Sequence, residues 1–423
     1  FHAYGQTARK SYPGAVYYLR AAPSAGALYP AELYFVSRSL EGIAPGVYHF
    51  DTGQGRLTCL REGDFSETMA ACCSIPDVVR ESPITFLLSA IPWRSSWKYR
   101  SRAYRYCALD SGHLAGNLLP IGSVSGFKPV LLCNFLDGPV NRLLGLDEKH
   151  EQVYAILSLS TDSTDNPGWE ETVPPVSKIK PRYQRLSKSE VEYPRIQEIH
   201  RATRLTGPDD LPRPLSASNR SPLRTERTQP ANQRQPSDHL GPTILNRRSG
   251  RSFTRDSISN ESLLSILEAS YAPYASDLYS EINIIPHVVV NAVAGTEPGV
   301  YLYDPKSHSL QLKRKGLFRE EIRHICLEQK LLADSAAAVF LFIDLDAVLE
   351  MYGNRGYRIA HIQSGIIGEF IYLAARSLGV GCTGIGAFYD DEVIRFFGYD
   401  PTKWQILYVL TCGMETVDSR LIP

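Results

Sequence analysis

The sequence predicts an α+β protein in which one domain is built twice. Three observations carry this. The stretch Lys98–Gly126 (KYRSRAYRYCALDSGHLAGNLLPIGSVSG) returns as Met351–Gly379 at a constant offset of 253 residues. Within it Tyr99, Arg102, Tyr104, Arg105, Ser111 and Gly112 fall on Tyr352, Arg355, Tyr357, Arg358, Ser364 and Gly365. Six identities in fourteen positions stand against about one by chance, and a fixed period marks a duplicated unit. The register also holds far from the stretch. Pro45, Gly46, Val47, Tyr48 and Asp51 map onto Pro298, Gly299, Val300, Tyr301 and Asp304, and Asp137, Val140, Arg142, Gly145, Asp147 and Gln152 onto Asp390, Val393, Arg395, Gly398, Asp400 and Gln405. Finally, apolar runs of strand length alternate with long amphipathic stretches, the pattern of sheets with helices packed on them.

In chain order, residues 1–16 read as a short amphipathic segment closing at the turn signal Tyr12-Pro13-Gly14. RAAPSAGALYP (20–30) is a loop of small residues leading into a strand at 32–37. A hairpin follows, 46–51 and 56–60 around Thr52-Gly53-Gln54-Gly55. Residues 65–80 read as a helix, 83–91 (PITFLLSAI) as a buried strand, and 103–119 as a long helix. The second copy of that helix shows its period best, with Ile359, Ile362, Ile366, Phe370 and Leu373 spaced by three, four and four or three residues. A strand at 129–135, a short helix near 140–144 and a strand at 153–160 complete the first unit. Residues 162–240 break the pattern: Pro, Ser, Arg and Asn dominate 206–236, with a helical island at 189–203, so a linker is expected there. The second unit has a helix at 260–271 that Ser259 can cap, and strands at 288–293, 299–304, 338–345, 382–388 and 407–412. The expected organisation is a domain at 1–161, a linker at 162–240 and a second domain at 241–423.

Composition narrows the function. At 423 residues two cores are affordable, and 45 basic against 45 acidic residues point to no nucleic-acid partner. Eight cysteines are scattered without a CxxC or a histidine pair beside them, so no metal is expected and a reducing cytoplasm is the expected setting. No apolar run reaches the ~20 residues of a membrane span. No signal peptide is read; the sequence opens on Phe1, and residues upstream of it are expected.

The informative positions are those where the copies differ. Copy two has Gly379-Val-Gly381-Cys-Thr-Gly384-Ile385-Gly386, glycines that let a backbone approach a flat ligand; copy one has Gly126-Phe-Lys-Pro-Val-Leu-Leu-Cys133 there. Conversely copy one has Pro23-Ser24-Ala25-Gly26-Ala-Leu-Tyr-Pro30 against Ser276-Asp-Leu-Tyr279-Ser-Glu-Ile-Asn283, and Lys98 against Met351. Copy two alone shows Arg247-Arg248-Ser249-Gly250-Arg251-Ser252-Phe253, whose three guanidiniums and two hydroxyls suit a phosphate. Each feature has a bland reading, as a structural turn or a solvated domain end. Their complementary split between copies is what argues for one shared site.

These residues resemble the SagB-type dehydrogenases, tandem nitroreductase-fold flavin enzymes that oxidise azolines to azoles in peptide natural-product pathways. RAAPSAGALYPAELY is similar to the hallmark of that group, followed by Lys98-Tyr99 and RAYRYCALDSGH; RRSGRSF resembles the phosphate-binding start of nitroreductases in general. The interval from Phe1 to Arg20 is short for the group. The resemblance implies two nitroreductase-like domains forming an intramolecular pseudo-dimer, monomeric as a molecule, with FMN in the interface. Arg247, Arg248, Ser249 and Arg251 would hold the phosphate and ribityl chain. The backbone of Gly384, Ile385 and Gly386 would face the ring near N5, and Pro23, Ser24, Ala25 and Gly26 would cover it from the other copy. Lys98 and Tyr99 would be the catalytic bases, one of them with a pKa lowered by burial. Arg102 and Arg105 recur in both copies and read as structural, and His113 as a core hydrogen-bonder. The implied reaction is oxidation of a thiazoline or oxazoline on a peptide or carrier protein, with oxygen reoxidising the flavin and a cyclodehydratase or synthetase as partner. Two other readings stay open: an NAD(P)H-dependent nitro- or quinone reductase, and a flavin-binding scaffold subunit of a cyclodehydratase complex.

Overall fold

The computed structural model of the chain describes residues 1–12, 15–38, 40–161, 173–177, 179, 185–212, 237–280, 282–416 and 421–422. Two large sheets repeat one strand order. In the first, Lys128–Leu132, Gln152–Ser160, Ile84–Ala90, Ala31–Ser37, Gly46–Asp51 and Arg56–Glu62 lie side by side. In the second the order is Gly381–Ile385, Trp404–Gly413, Ala337–Asp344, Ile285–Val290, Gly299–Asp304 and Ser309–Lys315. All these pairings are antiparallel, and each strand lies at or within a residue of its partner plus 253. The first sheet gains a seventh strand from the other half: Ala275–Ser276 pairs parallel to Val130 and Leu131.

The halves meet through two long helices, Ala103–Val124 and Arg355–Ser377. Their apolar stripe is buried as its period predicts, with Ile359, Ile362 and Ile366 fully inside. The crossing is set by a glycine from each. A Cβ on Gly112 would lie 2.1 Å from the Ile362 carbonyl oxygen, and one on Gly365 would lie 2.2 Å from that of Leu109. Leu109 and Ile362 are themselves 253 apart, so the contact is self-complementary, as across a two-fold axis. No side chain larger than hydrogen fits at either position without separating the halves. The two tandem domains thus pack as an intramolecular pseudo-dimer.

Three local expectations change. In place of the expected amphipathic segment, Gln6–Tyr12 pairs antiparallel with Ala15–Arg20, and Leu421–Ile422 adds a third strand. AVYYLR carries the β-branched and aromatic residues that favour this state; Pro13 and Gly14 of the expected turn lie outside the described residues. The helix expected at 65–80 is two, Ser66–Ala70 and Pro76–Glu81, because Ile75 precedes a proline and is held at φ −126°, ψ 77°. The helical island of the linker is Pro194–Ala202, with Ile196, His200 and the following Thr203 buried. Residues 213–236, most of the Pro/Ser/Arg/Asn-rich run, lie outside the described residues. The Ser259 cap forms, its hydroxyl accepting from the Ser262 N–H at 3.0 Å. Among the described residues, no helix is long and apolar enough to cross a membrane, and no group of three or more His, Cys, Asp or Glu is placed to hold a metal ion.

Candidate functional site

The loop of small residues is a tight turn under strain. Ser24 is extended, Ala25–Ala27 make one 3-10 turn, and Gly26, Ala27 and Tyr29 all have positive φ (64°, 54° and 48°). For alanine and tyrosine that conformation is unfavourable, so the surroundings must impose it. The Ser24 hydroxyl accepts from the Tyr29 N–H at 2.9 Å, the Tyr29 hydroxyl accepts from the Arg20 N–H at 3.0 Å, and the Arg20 guanidinium lies over the Tyr4 and Tyr29 rings. A Cβ on Gly26 would sit 2.5 Å from the Tyr99 hydroxyl and 3.0 Å from Lys98 Nζ. The structure therefore brings Pro23–Gly26 and Lys98–Tyr99 together. Burial, then the nearby Asp110, pushes the Tyr99 phenol above its ordinary range. That is opposite to the lowering expected of a base, and it keeps Tyr99 protonated.

The run after Asn246 lines the facing wall. Arg247 is almost fully buried: Nε donates to the Ala21 carbonyl at 2.8 Å, a second nitrogen to that of Arg20 at 3.3 Å, and the guanidinium stands over Tyr372. Arg248 donates to the carbonyls of Thr7, Leu245 and Arg247; burial, then Arg247 and Arg376, push its pKa down to about 10. Ser249 shares a hydrogen bond with the Tyr372 hydroxyl at 2.9 Å, and Arg251 is exposed.

The glycines of copy two do make room for flat groups, but the groups they meet are tyrosines. Gly384 donates its N–H to the Tyr372 hydroxyl at 2.6 Å, and the Tyr408 hydroxyl occupies the space of its missing Cβ. Ile385 points into an apolar cluster with Phe388 and Val393. The Gly386 Cβ position would be 2.3 Å from the Tyr106 ring, and its carbonyl accepts from Arg102 at 2.8 Å. Tyr106 in turn packs edge-on against Tyr99, ring centroids 4.6 Å apart. Two chains of contact thus join the halves: Gly26–Tyr99–Tyr106–Gly386, and Arg20/Ala21–Arg247–Tyr372 with Ser249 and Gly384.

Buried donors in this region lack partners, namely Arg20 Nη1, Arg247 Nη1 and Arg102 Nη2. Orphaned guanidinium N–H groups are costly unless an acceptor-rich ligand meets them, and the phosphate and ring carbonyls of a flavin mononucleotide are such acceptors. The residues present fit that group. Arg102 and Arg105 bridge to Asp390, and Arg105 also donates to the Tyr357 hydroxyl at 2.7 Å, so they act as struts between the halves. His113 lies buried between Glu369 (2.9 Å) and Tyr408 (3.0 Å), the core hydrogen-bonder expected. Sequence reasoning did not single out Tyr106, Tyr372, Tyr408 or Glu369. Their counterparts are Ile359, Leu119, Ala155 and Gly116, so the difference between copies marks each one.

The symmetry-related cleft is closed. Arg355 and Arg358 reach Asp137 at 2.8 and 2.7 Å, and Arg355 donates to the Cys133 carbonyl at 2.9 Å, mirroring Arg102 on Gly386. Thr203 from the linker wedges between Arg358 (2.7 Å) and the Tyr104 hydroxyl (2.9 Å). Asp277, the counterpart of Ser24, accepts from the N–H groups of Cys133 and Asn134 at 2.8 and 2.7 Å. Tyr279 stands where copy one has Gly26 and packs on Tyr352, centroids 4.6 Å apart.

Comparison with known proteins agrees with this architecture. The Nitroreductase family profile matches residues 7–159 and again 244–414. A crystal structure of a protein from Anabaena variabilis assigned to the nitroreductases covers 98% of this chain and 86% of its own, at 30% identity and a TM-score of 0.81. A Methanocaldococcus jannaschii protein assigned to the nitroreductases is 31% identical over 169 residues, 36% of this chain and 81% of its own. The trifolitoxin-processing protein TfxB of Rhizobium leguminosarum bv. trifolii is 30% identical over 112 residues, 25% of this chain but only 30% of TfxB. A crystal structure of a Desulfovibrio desulfuricans protein assigned to the nitroreductases holds FMN; it covers 42% of this chain and 86% of its own, at 19% identity and a TM-score of 0.30. This chain belongs to the nitroreductase family, with the family domain present twice and folded against itself.

Proposed function

We propose that the chain is an FMN-dependent dehydrogenase that oxidises thiazoline or oxazoline rings of a peptide or carrier-bound substrate to the corresponding azoles. The observation that carries this reading is the contact of Gly26 with Lys98 Nζ and the Tyr99 hydroxyl, in the one cleft that keeps the small-residue turn. A reductase fed by a dinucleotide has no need of such a pair. The likeness to a trifolitoxin-processing protein supports a peptide-modifying setting, with a synthetase or cyclodehydratase as partner.

The residues divide the work. FMN, when bound, accepts the hydride that leaves the azoline ring. Arg247 and Arg20, with their free buried N–H groups, and Ser249, Arg248 and Arg251 around them hold its phosphate, chain and ring edge. Pro23–Gly26 would cover the ring from the other copy, and the absence of a Cβ at Gly26 lets the Tyr99 hydroxyl and Lys98 Nζ close on the turn. Lys98 takes the proton from the acidic ring carbon. Tyr99, kept protonated, donates a hydrogen bond that orients the substrate. The enclosing tyrosines exclude water from the exchange.

The test is anaerobic flavin bleaching on mixing with an azoline peptide at fixed flavin occupancy. Lys98→Ala should bleach about 10²–10⁴-fold more slowly than the parent, with FMN still bound. Tyr99→Phe should slow it less, since it loses orientation and not the proton acceptor. If both variants bleach at the parent rate, the dehydrogenase reading is wrong. The second reading, an NAD(P)H-dependent reductase, is favoured by the relatives assigned to the nitroreductases. Rapid bleaching of the parent by NADPH, with none by azoline, would establish it.

A further inference from the structure

Behind Gly384 lies a buried hydrogen-bonded chain that the mechanism above does not use. Glu369 on the second central helix is fully inside, and its Oε2 lies 2.9 Å from Nδ1 of His113 on the first. The other ring nitrogen, Nε2, lies 3.0 Å from the Tyr408 hydroxyl, and that hydroxyl fills the place of the missing Gly384 Cβ. Glycines make the room. A Cβ on Gly116 would meet that of Glu369 at 2.6 Å, and one on Gly368 would meet ring carbons of Tyr408 and His113 at 2.8 and 2.9 Å. The closed cleft replaces the whole chain with small or apolar residues: the counterparts of His113, Glu369, Tyr408 and Gly368 are Ile366, Gly116, Ala155 and Ala115. Glu369 Oε1 has no hydrogen-bond partner and stands 3.9 Å from Nε of Arg247, the buried guanidinium of the same cleft. The fold plainly packs without this carboxylate, as the symmetry-related position shows, and burying one is unfavourable. The open cleft keeps it.

The chain has a direction. A carboxylate can only accept, so His113 Nδ1 carries the proton and Nε2 is left as an acceptor. Burial pushes the Tyr408 phenol well above its ordinary range, so it keeps its hydrogen and donates it to Nε2. The phenol oxygen then turns lone pairs, and no hydrogen, toward Gly384. We propose that Glu369 and His113 are positioning residues that fix the Tyr408 hydroxyl as a hydrogen-bond acceptor for the flavin ring, and so favour its reduced form. This rests on the FMN reading above and deepens it. Oxidised flavin carries a single ring N–H, and the reduced ring gains another where the hydride arrives. An acceptor that cannot turn its hydrogen outward gains a partner in the second state and has none in the first. The Gly384 N–H is already given to the Tyr372 hydroxyl, so the backbone offers no competing donor there.

Two measurements test this, and neither is turnover. In the apoprotein, nitrogen NMR of the imidazoles at neutral pH should show His113 protonated at Nδ1 alone. In Glu369→Gln the amide can donate to the ring, and the proton should move to Nε2. A parent ring protonated at Nε2 overturns the proposal whether or not FMN binds. In the loaded protein, the affinities for oxidised and reduced FMN are measured anaerobically with no azoline present. Tyr408→Phe should bind oxidised FMN within about threefold of the parent and reduced FMN about tenfold more weakly, which lowers the two-electron potential by about 30 mV. Glu369→Gln should lower it at least as far, because the changed tautomer turns the Tyr408 hydrogen toward the ring. The double variant should match Tyr408→Phe alone, since without the hydroxyl the tautomer has nothing to orient. Tyr408→Phe keeps the ring and its packing, so it decides the matter even where Glu369→Gln fails to fold. Equal weakening of both flavin forms, or additive losses in the double variant, overturns the proposal while leaving FMN binding intact. A parent that binds no FMN overturns the cofactor reading and the proposal with it.

Discussion

The two clefts of the pseudo-dimer are built on one plan and have gone opposite ways. Each is strutted by an arginine pair from the central helix of one half reaching an aspartate of the other: Arg102 and Arg105 to Asp390, Arg355 and Arg358 to Asp137. In the first, the aspartate is 24% exposed and its neighbours are glycines and a small-residue turn. In the second, arginine and aspartate side chains are at most 2% exposed, and Thr203, Asp277 and Tyr279 fill the places a ligand would take. The difference shows how a duplicated binding fold can keep one site and turn the other into structure. Backbone N–H groups that would face a ligand receive an internal carboxylate, and the glycine that would leave room receives a tyrosine. Met351 and Asp277 follow from one another once the second cleft no longer binds.

If the closed cleft is structural, the largest effect of any change should fall there. Asp137→Ala leaves two buried guanidiniums without their shared partner, and should destabilise the fold by about 3–5 kcal/mol. Asp390→Ala removes a partly exposed partner and should cost about 1–2 kcal/mol, because water replaces part of what is lost. Urea unfolding of both variants measures the contrast. Equal losses would mean that the clefts carry the fold equally, and the comparison would break.

The cofactor count tests the same asymmetry. Titration of apoprotein should give one FMN per chain, since the second cleft is filled from within. Arg247→Ala should release that FMN by about two orders of magnitude or more, because it removes charge-assisted bonds and leaves the Ala21 and Arg20 carbonyls unpaired. Two equivalent sites in the parent would overturn the assignment of the clefts.

The clefts should also respond oppositely to acid. Arg355 and Arg358 overcome the burial that would raise the Asp137 carboxyl and hold it down near 2. A depressed carboxylate contributes stability above its unfolded value of about 4, and loses it as pH falls through the folded one. That contribution is roughly 2 kcal/mol. Burial raises Asp110, near Tyr99 of the open cleft, to about 7, so its sign is reversed. Its contribution is fully present below about pH 4 and is lost as pH rises toward 7. Unfolding free energies of the parent between pH 4 and 8 should carry a downward term that Asp110→Asn removes, leaving the acid-side loss untouched.

What could be read from the sequence follows from what repeats and what does not. The 253-residue register located both sheets and both central helices, because strands and helix stripes depend on local pattern. The tyrosines were not found. Tyr372 and Tyr408 look like ordinary core residues until the fold sets their hydroxyls beside Gly384. Likewise Arg247 reads as a surface phosphate ligand, and only tertiary contact with Ala21 and Tyr372 shows it buried. The closing of the second cleft depends on Thr203, from a linker whose sequence has no counterpart in either copy.

The smallest expected effect is the sharpest test of the comparison. Met351 occupies the place of Lys98, so Met351→Lys restores to copy two the residue the mechanism assigns to the proton. It should still do nothing useful. The place of Gly26, against which Lys98 and Tyr99 close in copy one, is taken in copy two by Tyr279, whose hydroxyl donates to the Met351 carbonyl and whose ring packs on Tyr352. A lysine there meets a tyrosine and no substrate, and its side chain, half-buried at a helix end, turns to solvent. Stability should change by no more than about 0.5 kcal/mol, the usual range for such sites. Bleaching by azoline should match the parent, and Met351→Lys added to Lys98→Ala should leave the slow rate of the single variant. Recovery of the parent rate in the double variant would show that the second cleft still admits substrate, and that Tyr279, Asp277 and Thr203 do not close it.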